Sequence, residues 1–345
     1  MPARTPSTPS AAPPTPSSPL PSLRPVDLPG ARAPLTRLVL GTMSFGDTTD
    51  AAAVRAVVDH VLDLGITAVD TANGYAGSRT ETILAPLLRG RRDRIMLATK
   101  AGMPHADAAG AAPLSAAGLR RSVDGSLRRL GTDYVDLFYL HQPDRTTPVD
   151  ETLSTVADLR AEGKIGALGV SNYSAWQTMD VTLAAERAGT AGPVVAQQLY
   201  NLVARRVEDE FCEYAQTHGL LLMTYNPLAG GLLARAPQDD ALPSRFGTSV
   251  LAAMYRDRYW TPALLDGVRA LARIADEAGM RLTDLALRWL VSQPTVGAIL
   301  LGGDRLEHFT ANVAAVAAGP LPDDLRAACT EATDVLAGSM PAYHR

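Results

Sequence analysis

The sequence predicts an α/β fold, a (β/α)8 TIM barrel with a disordered Pro-rich N-terminal tail. Three observations lead there. First, eight short apolar runs alternate strictly with segments of helical period, the pattern of a parallel sheet wrapped by helices. Second, no Gly-x-Gly-x-x-Gly turn follows the first run, which argues against the rival doubly wound sheet. Third, ionisable and amide side chains gather where the runs end, as barrel enzymes require of the C-terminal ends of their strands.

The predicted strands are Arg37–Gly41, Thr67–Asp70, Arg94–Lys100, Tyr134–His141, Ile165–Val170, Val194–Tyr200, Leu220–Tyr225 and Val296–Leu301. Segments such as Ala51–Leu64, Ser115–Leu130, Val149–Ala161 and Pro262–Ala278 carry the helical period. Residues 1–34 differ in kind: Met1 to Pro34 holds eleven of the 25 prolines, with many Ser, Thr and Ala. Such a stretch buries too little apolar surface to offset its ordering entropy, so a disordered tail is expected there and a barrel domain over 35–345.

Composition narrows the function. The chain has 345 residues and a formal net charge of -4, which gives no reason to expect a nucleic acid or an anionic membrane as partner. Its two cysteines, Cys212 and Cys329, form no CxxC and imply no disulfide framework. No apolar run has the length of a membrane span or of a secretory signal, and a cytoplasmic protein is expected. The histidines show no HExxH or ligand-spaced cluster, so no metal is expected.

The strand ends carry Asp70, Lys100 and His141, with Tyr75 just behind the second. Lys100 stands out because the chain holds only two lysines among 32 basic residues. Arginine keeps its proton in a protein, whereas a buried lysine shifts readily and tunes its neighbours. Taken singly, each of the four has a plain structural reading: a buried ion pair, a loop aromatic, a core histidine. Taken together they suit one chemistry. A phenol, ordinarily too weak an acid at neutral pH, gains acidity beside a lysine cation. A carboxylate fixes that lysine, and a neutral histidine orients a carbonyl by hydrogen bond. Such a set protonates an oxygen on which negative charge develops, as hydride donation to a carbonyl creates.

Several motifs carry a family resemblance. The run Gly65-Ile66-Thr67-Ala68-Val69-Asp70-Thr71-Ala72-Asn73-Gly74-Tyr75, the run Leu130 to His141, and Gly169-Val170-Ser171-Asn172 together resemble the aldo-keto reductases. The branch of aflatoxin-aldehyde and succinic-semialdehyde reductases is most similar. The likeness to it rests on Tyr225–Leu233, Tyr255–Trp260 and the ending Pro341-Ala342-Tyr343-His344-Arg345.

The resemblance implies Tyr75 as proton donor, Lys100 and Asp70 as its tuning partners, and His141 as carbonyl orienter. It implies that Ser171, Asn172 and Gln197 hold the nicotinamide carboxamide, that Tyr225 stacks on its ring, and that Gly41, Thr42 and Met43 line the same site. Asn226, Pro227, Leu228, Gly230, Gly231 and Leu233 would wrap the pyrophosphate. Gly302, Gly303 and Arg305, with Asn312, would reach the adenosine end. The substrate candidates are Met43, Phe45, Met103, Arg245 and Arg345, the two arginines as contacts for a carboxylate. Two departures bear on the cofactor. Ala234-Arg235-Ala236 stands where the branch has Thr-Gly-Lys, and Asp304 lies beside Arg305. NADPH is the expected cofactor, with NADH possible; Asp304 would serve equally as the cap of the helix that follows. The expected partner is a small-molecule carbonyl substrate. Other functions stay open: a dedicated ketoreductase of a secondary-metabolite or deoxysugar pathway, and a nicotinamide-binding regulatory subunit without turnover. The Tyr255–Trp260 cluster suits a pocket wall or a subunit contact, and both monomer and homodimer are compatible with the chain.

Overall fold

A computed structural model describes residues 24–235 and 243–345. Among these, eight parallel strands close into a barrel in sequence order. The strands are β1 (Leu38–Gly41), β2 (Ala68–Asp70), β3 (Met96–Ala101), β4 (Val135–Leu140), β5 (Ile165–Ser171), β6 (Pro193–Leu199), β7 (Leu221–Tyr225) and β8 (Val296–Leu301). Each of the eight predicted runs contains or overlaps one of them. The helices that matter for the site are α1 (Ala51–Asp63), α2 (Arg79–Leu88), α3 (Ala116–Leu130), α4 (Val149–Ala161) and α5 (Ala175–Arg187). Local signals start and stop them. Ser115 accepts from the Gly118 amide at the head of α3, and Gly131, at φ 67°, ends it in the left-handed region that favours glycine.

Two apolar compartments result. Helices pack on the outside of the strands through one large cluster that includes Val54, Leu84, Leu119, Leu153 and Trp289. Inside the barrel lie Val39, Ala68, Met96, Ala98, Leu137, Tyr139, Ala167, Val195, Met223 and Ala298. The inward positions alternate along each strand, as a pleated backbone dictates.

The floor of the barrel corrects the expected tail. Residues 24–34 are ordered: Val26 and Leu35 exchange both backbone hydrogen bonds at 2.8 Å, closing a small hairpin. Leu28, Ala33 and Leu35 join the interior cluster. Tyr134 donates to the Gly30 carbonyl, and the Arg32 guanidinium lies 3.8 Å above the Tyr134 ring. Averaged composition hid this, because two leucines suffice to seat a hairpin once an apolar opening awaits them. The rest of the expected tail, residues 1–23, lies outside the described residues.

Tyr139 fills the interior just below the C-terminal rim, and its backbone partner across the sheet is Gly169. A Cβ at Gly169 would lie 2.5 Å from the Tyr139 ring, so only glycine fits. Gly169→Ala is therefore expected to destabilise the protein by about 1–3 kcal/mol, through overpacking. Urea unfolding of the variant against the wild type measures it; a shift within error removes the steric account.

Candidate active site

Parallel register brings the chemistry together. Asp70 ends β2 opposite Ala98, so Lys100, two residues further along β3, points into the barrel from the same layer. Both side chains are fully buried and form an ion pair. Lys100 Nζ also donates to the Thr71 carbonyl at 3.0 Å and to Tyr75 Oη at 3.4 Å. The second Asp70 oxygen accepts from Gln197 Nε2 at 2.9 Å. Tyr75 opens a tight turn, Tyr75–Ser78, above the lysine, in which Ala76 and Gly77 leave the helical backbone angles. His141 follows β4 directly, with its ring edge-to-face to Tyr75 at a 6.0 Å centroid distance. Its Nδ1 is buried and has no hydrogen-bond partner.

The electrostatics separate the roles. Burial opposes the Lys100 cation, but Asp70 and Tyr75 beside it win, and the lysine holds its proton above the ordinary range. Burial also lifts the Asp70 carboxyl, while Lys100 pulls it back. For Tyr75 burial outweighs the lysine: the phenol stands above its usual value, and Lys100 limits the rise. Lys100 thus acts in the expected sense without producing a net lowering. His141 is held well below its usual value by burial and by the Lys100 and Arg345 cations, so its imidazole is neutral.

The neighbouring rim is knitted by amides. Ser171 donates to the Gln197 carbonyl at 2.9 Å. Asn172, left-handed at φ 62°, gives its amide nitrogen to the His141 carbonyl at 2.8 Å and accepts from Tyr225 Oη at 2.8 Å. One asparagine thereby ties the ends of β4, β5 and β7. After β7 the chain turns at Asn226, φ 61°, whose Oδ1 takes the Gly230 amide at 2.8 Å. Asn201 and Tyr259 brace this loop from behind, at 2.9 Å to the Asn226 carbonyl and 3.0 Å to its side chain. Within the Tyr255–Trp260 cluster Tyr255 and Tyr259 are buried, while Arg256 and Asp257 are exposed.

The remaining candidates differ in burial. Phe45 is fully buried in the outer core, and its carbonyl accepts from Thr80 at 2.8 Å. Leu233 is likewise core, and Pro227 is buried. Thr42 is buried beneath the site, its hydroxyl on the Asp70 carbonyl at 2.9 Å, and Gly41 is buried beside it. Met43, Met103, Leu228, Gly230 and Gly231 are half-buried at the rim. Gly302 is exposed and Gly303 half-buried, while Asn312 is buried in the helix Leu306–Ala317. That helix starts at Arg305 with no side chain capping it, so Asp304 is not its cap. Arg305 is largely exposed, 3.8 Å from Glu307. Arg245 leaves Nη1 buried and unpartnered, with its guanidinium 5.8 Å from the Tyr255 ring. Arg345 binds the Asn172 carbonyl through its amide at 3.0 Å and Gln142 through its side chain at 3.3 Å.

Tyr139 is the residue the sequence reading passed over. The Lys100 ammonium sits 5.4 Å above its ring, making it the floor of the site. Its signal was available as a large aromatic facing a glycine in the next strand. Among the described residues there is no group of three or more His, Cys, Asp or Glu placed to hold a metal ion, and no helix long and apolar enough to cross a membrane.

Comparison with known proteins agrees with this architecture. Residues 37–334 match the Aldo/keto reductase family. The chain is 35% identical to human aflatoxin B1 aldehyde reductase member 2 over 345 residues, covering 95% of each chain. It is 35% identical to human aldo-keto reductase family 7 member A3 over 89% of this chain and 96% of the relative. It is also 34% identical to a probable voltage-gated potassium channel subunit beta of Arabidopsis thaliana, over 81% and 86% respectively. On a match of that extent, with the barrel closed and its rim so furnished, this chain belongs to the aldo/keto reductase family.

Proposed function

We propose that the protein is an NADPH-linked reductase of aldehydes or ketones, with Tyr75 as proton donor. The observation that carries this reading is the line from the buried Asp70 and Lys100 to the half-buried Tyr75, facing a neutral His141. The residues fit a nicotinamide cofactor. The half-buried Tyr225 ring and the Ser171–Asn172 amides meet at one rim, and the loop from Asn226 to Leu233 turns its backbone through left-handed Ala229 and Gly230 beside them. Such successive turns aim N–H groups at an anion. Ser171, Asn172, Gln197 and Tyr225 would hold the nicotinamide end, and NADPH bound there supplies a hydride.

This chain's own residues do the rest. Neutral His141 donates to the substrate carbonyl and fixes it near Tyr75. As negative charge builds on the oxygen, Tyr75 Oη releases its proton to it, giving the alcohol. Lys100 stabilises the phenolate left behind, and Asp70, held by Gln197, keeps the ammonium in place. Tyr75→Phe is expected to lose about 10²–10⁴-fold in kcat for NADPH oxidation with 4-nitrobenzaldehyde. Unchanged turnover overturns the assignment. The pH profile follows from the signs above. Reduction needs the protonated phenol, so kcat falls on the alkaline side as Tyr75 ionises. Removing the cation in Lys100→Met raises the phenol further and moves that limb to higher pH, with lower turnover at neutrality. A limb that stays in place separates Lys100 from Tyr75.

The substrate we infer is an aldehyde or keto acid carrying a carboxylate. Arg345 lies against the His141 side of the mouth, and Arg245 carries a buried unpaired nitrogen, which an anion would satisfy. Arg345→Ala should raise KM for succinic semialdehyde more than for a neutral aldehyde; equal changes for both refute the carboxylate contact.

At the adenosine end, Arg305 is available to a 2′-phosphate, and the uncapped Asp304 next to it opposes that charge. Asp304→Ser is expected to tighten NADPH binding relative to NADH in fluorescence titrations. An unchanged ratio of the two dissociation constants removes Asp304 from cofactor choice.

A second reading is favoured by the likeness to a potassium channel subunit beta: a nicotinamide-binding subunit whose turnover is incidental. The same Tyr75→Phe comparison separates the two, since that reading expects negligible turnover in the wild type with cofactor binding intact.

A further inference from the structure

The turn that carries Tyr75 is strained. Ala76, Gly77 and Ser78 follow it in succession with φ of 46°, 63° and 73°, all left-handed, and two of the three are not glycine. Such a run persists only where its surroundings over-determine it. Two anchors are evident. Arg79 reaches back to the Ala76 carbonyl at 3.1 Å and to the Gly46 carbonyl at 2.6 Å. The other anchor comes from the loop after β3, where His105 Nε2 lies 2.8 Å from Ser78 Oγ.

His105 is itself held in a chain of contacts. Its Nδ1 accepts from the Asp107 amide at 3.2 Å and lies 3.1 Å from the Asp107 carboxylate. Asp107 is gripped by both terminal nitrogens of Arg129, at 3.0 and 2.7 Å. Arg129 Nε donates at 2.9 Å to Glu81, a fully buried residue in the first turn of α2. The other Glu81 oxygen takes the Thr99 hydroxyl at 2.7 Å. Thr99 precedes Lys100 in β3, and α2 begins where the Tyr75 turn ends, at Ser78. The chain of contacts therefore closes on itself, tying the strand of the lysine to the turn of the tyrosine. The packing is tailored to it, since a Cβ on Gly125 of α3 would lie 2.6 Å from the Asp107 carboxylate.

Ser78, His105 and Asp107 line up as a hydrolytic triad does, and the His105 ring, whose tautomer decides which partner donates, meets Ser78 Oγ through Nε2 in either form.

We propose that His105 is a positioning residue for the proton donor: through Ser78 it fixes the left-handed turn and so holds the Tyr75 hydroxyl beside Lys100. Among the described residues, none of these side-chain bonds runs to Ser171, Asn172, Gln197 or Tyr225. The network acts on the placement of one proton, and the proposal rests on the reading of Tyr75 as donor given above.

The test uses the full-length chain, 4-nitrobenzaldehyde and NADPH. His105→Ala and Ser78→Ala are expected to lower kcat by about tenfold to a hundredfold, the scale of an ångström misplacement. The NADPH dissociation constant, read by protein fluorescence, stays close to wild type. His105→Gln, whose side-chain amide offers Ser78 both a donor and an acceptor, should recover most of the lost kcat. Unchanged kcat in both alanine variants, with Tyr75→Phe inactive, overturns the positioning role and leaves the donor assignment standing. An active Tyr75→Phe overturns the donor assignment itself. Parallel loss of kcat and NADPH binding, with no recovery in His105→Gln, marks general loosening and also overturns the proposal. Should His105→Ala fail to fold, Ser78→Ala, which removes a single hydroxyl, carries the comparison.

Discussion

The ion pair of Lys100 and Asp70 is the interaction around which the rim is organised. Both partners lie inside the barrel without solvent contact. Taking two charges out of water costs several kcal/mol each, and mutual attraction alone seldom offsets it. Here the remaining valences are used: the lysine reaches a carbonyl and a phenol, and the aspartate takes an amide from across the barrel. The contrast with the chain's other lysine is instructive. Lys164 bridges Asp124 and Glu162 at 2.9 and 2.8 Å on a surface partly open to water. Solvent screens such a pair, and either charge is dispensable. At Lys100 neither charge is dispensable, because the loss of one strands the other.

That constraint propagates through the sheet. An ammonium at this depth needs a floor that is neither charged nor soft, and Tyr139 supplies an aromatic face there. The bulk of Tyr139 in turn forces glycine at the facing position of β5, where the pairing with β6 also slips between Leu168 and Gly169. Immediately beyond come Ser171 and Asn172, whose left-handed turn joins three strand ends. The chemistry at the top of the barrel and the packing just beneath it are one arrangement.

Much of this was legible in the sequence, for definite reasons. Period-two and period-3.6 patterns mark strands and helices directly, and a parallel barrel puts strand ends on one rim, so Asp70, Lys100 and His141 could be gathered before any coordinates. Side-chain direction after a strand end was not legible. Thr42, Met43 and Phe45 stand in one short stretch, yet the first supports Asp70 from below, the second reaches the rim and the third turns into the outer core. No periodicity governs an irregular loop. The hairpin ahead of β1 was hidden for a related reason, since averaged composition does not register two leucines placed to meet an apolar opening.

The same hairpin has an effect on how the molecule can be joined to anything else. By stoppering the N-terminal end of the strands with Leu28 and Leu35, it sets Arg24 on the face opposite the rim, where its carbonyl takes Arg37 Nε at 3.2 Å. A label carried at position 24 therefore reports from the blind end of the barrel, away from the rim where Asp70, Lys100 and His141 lie.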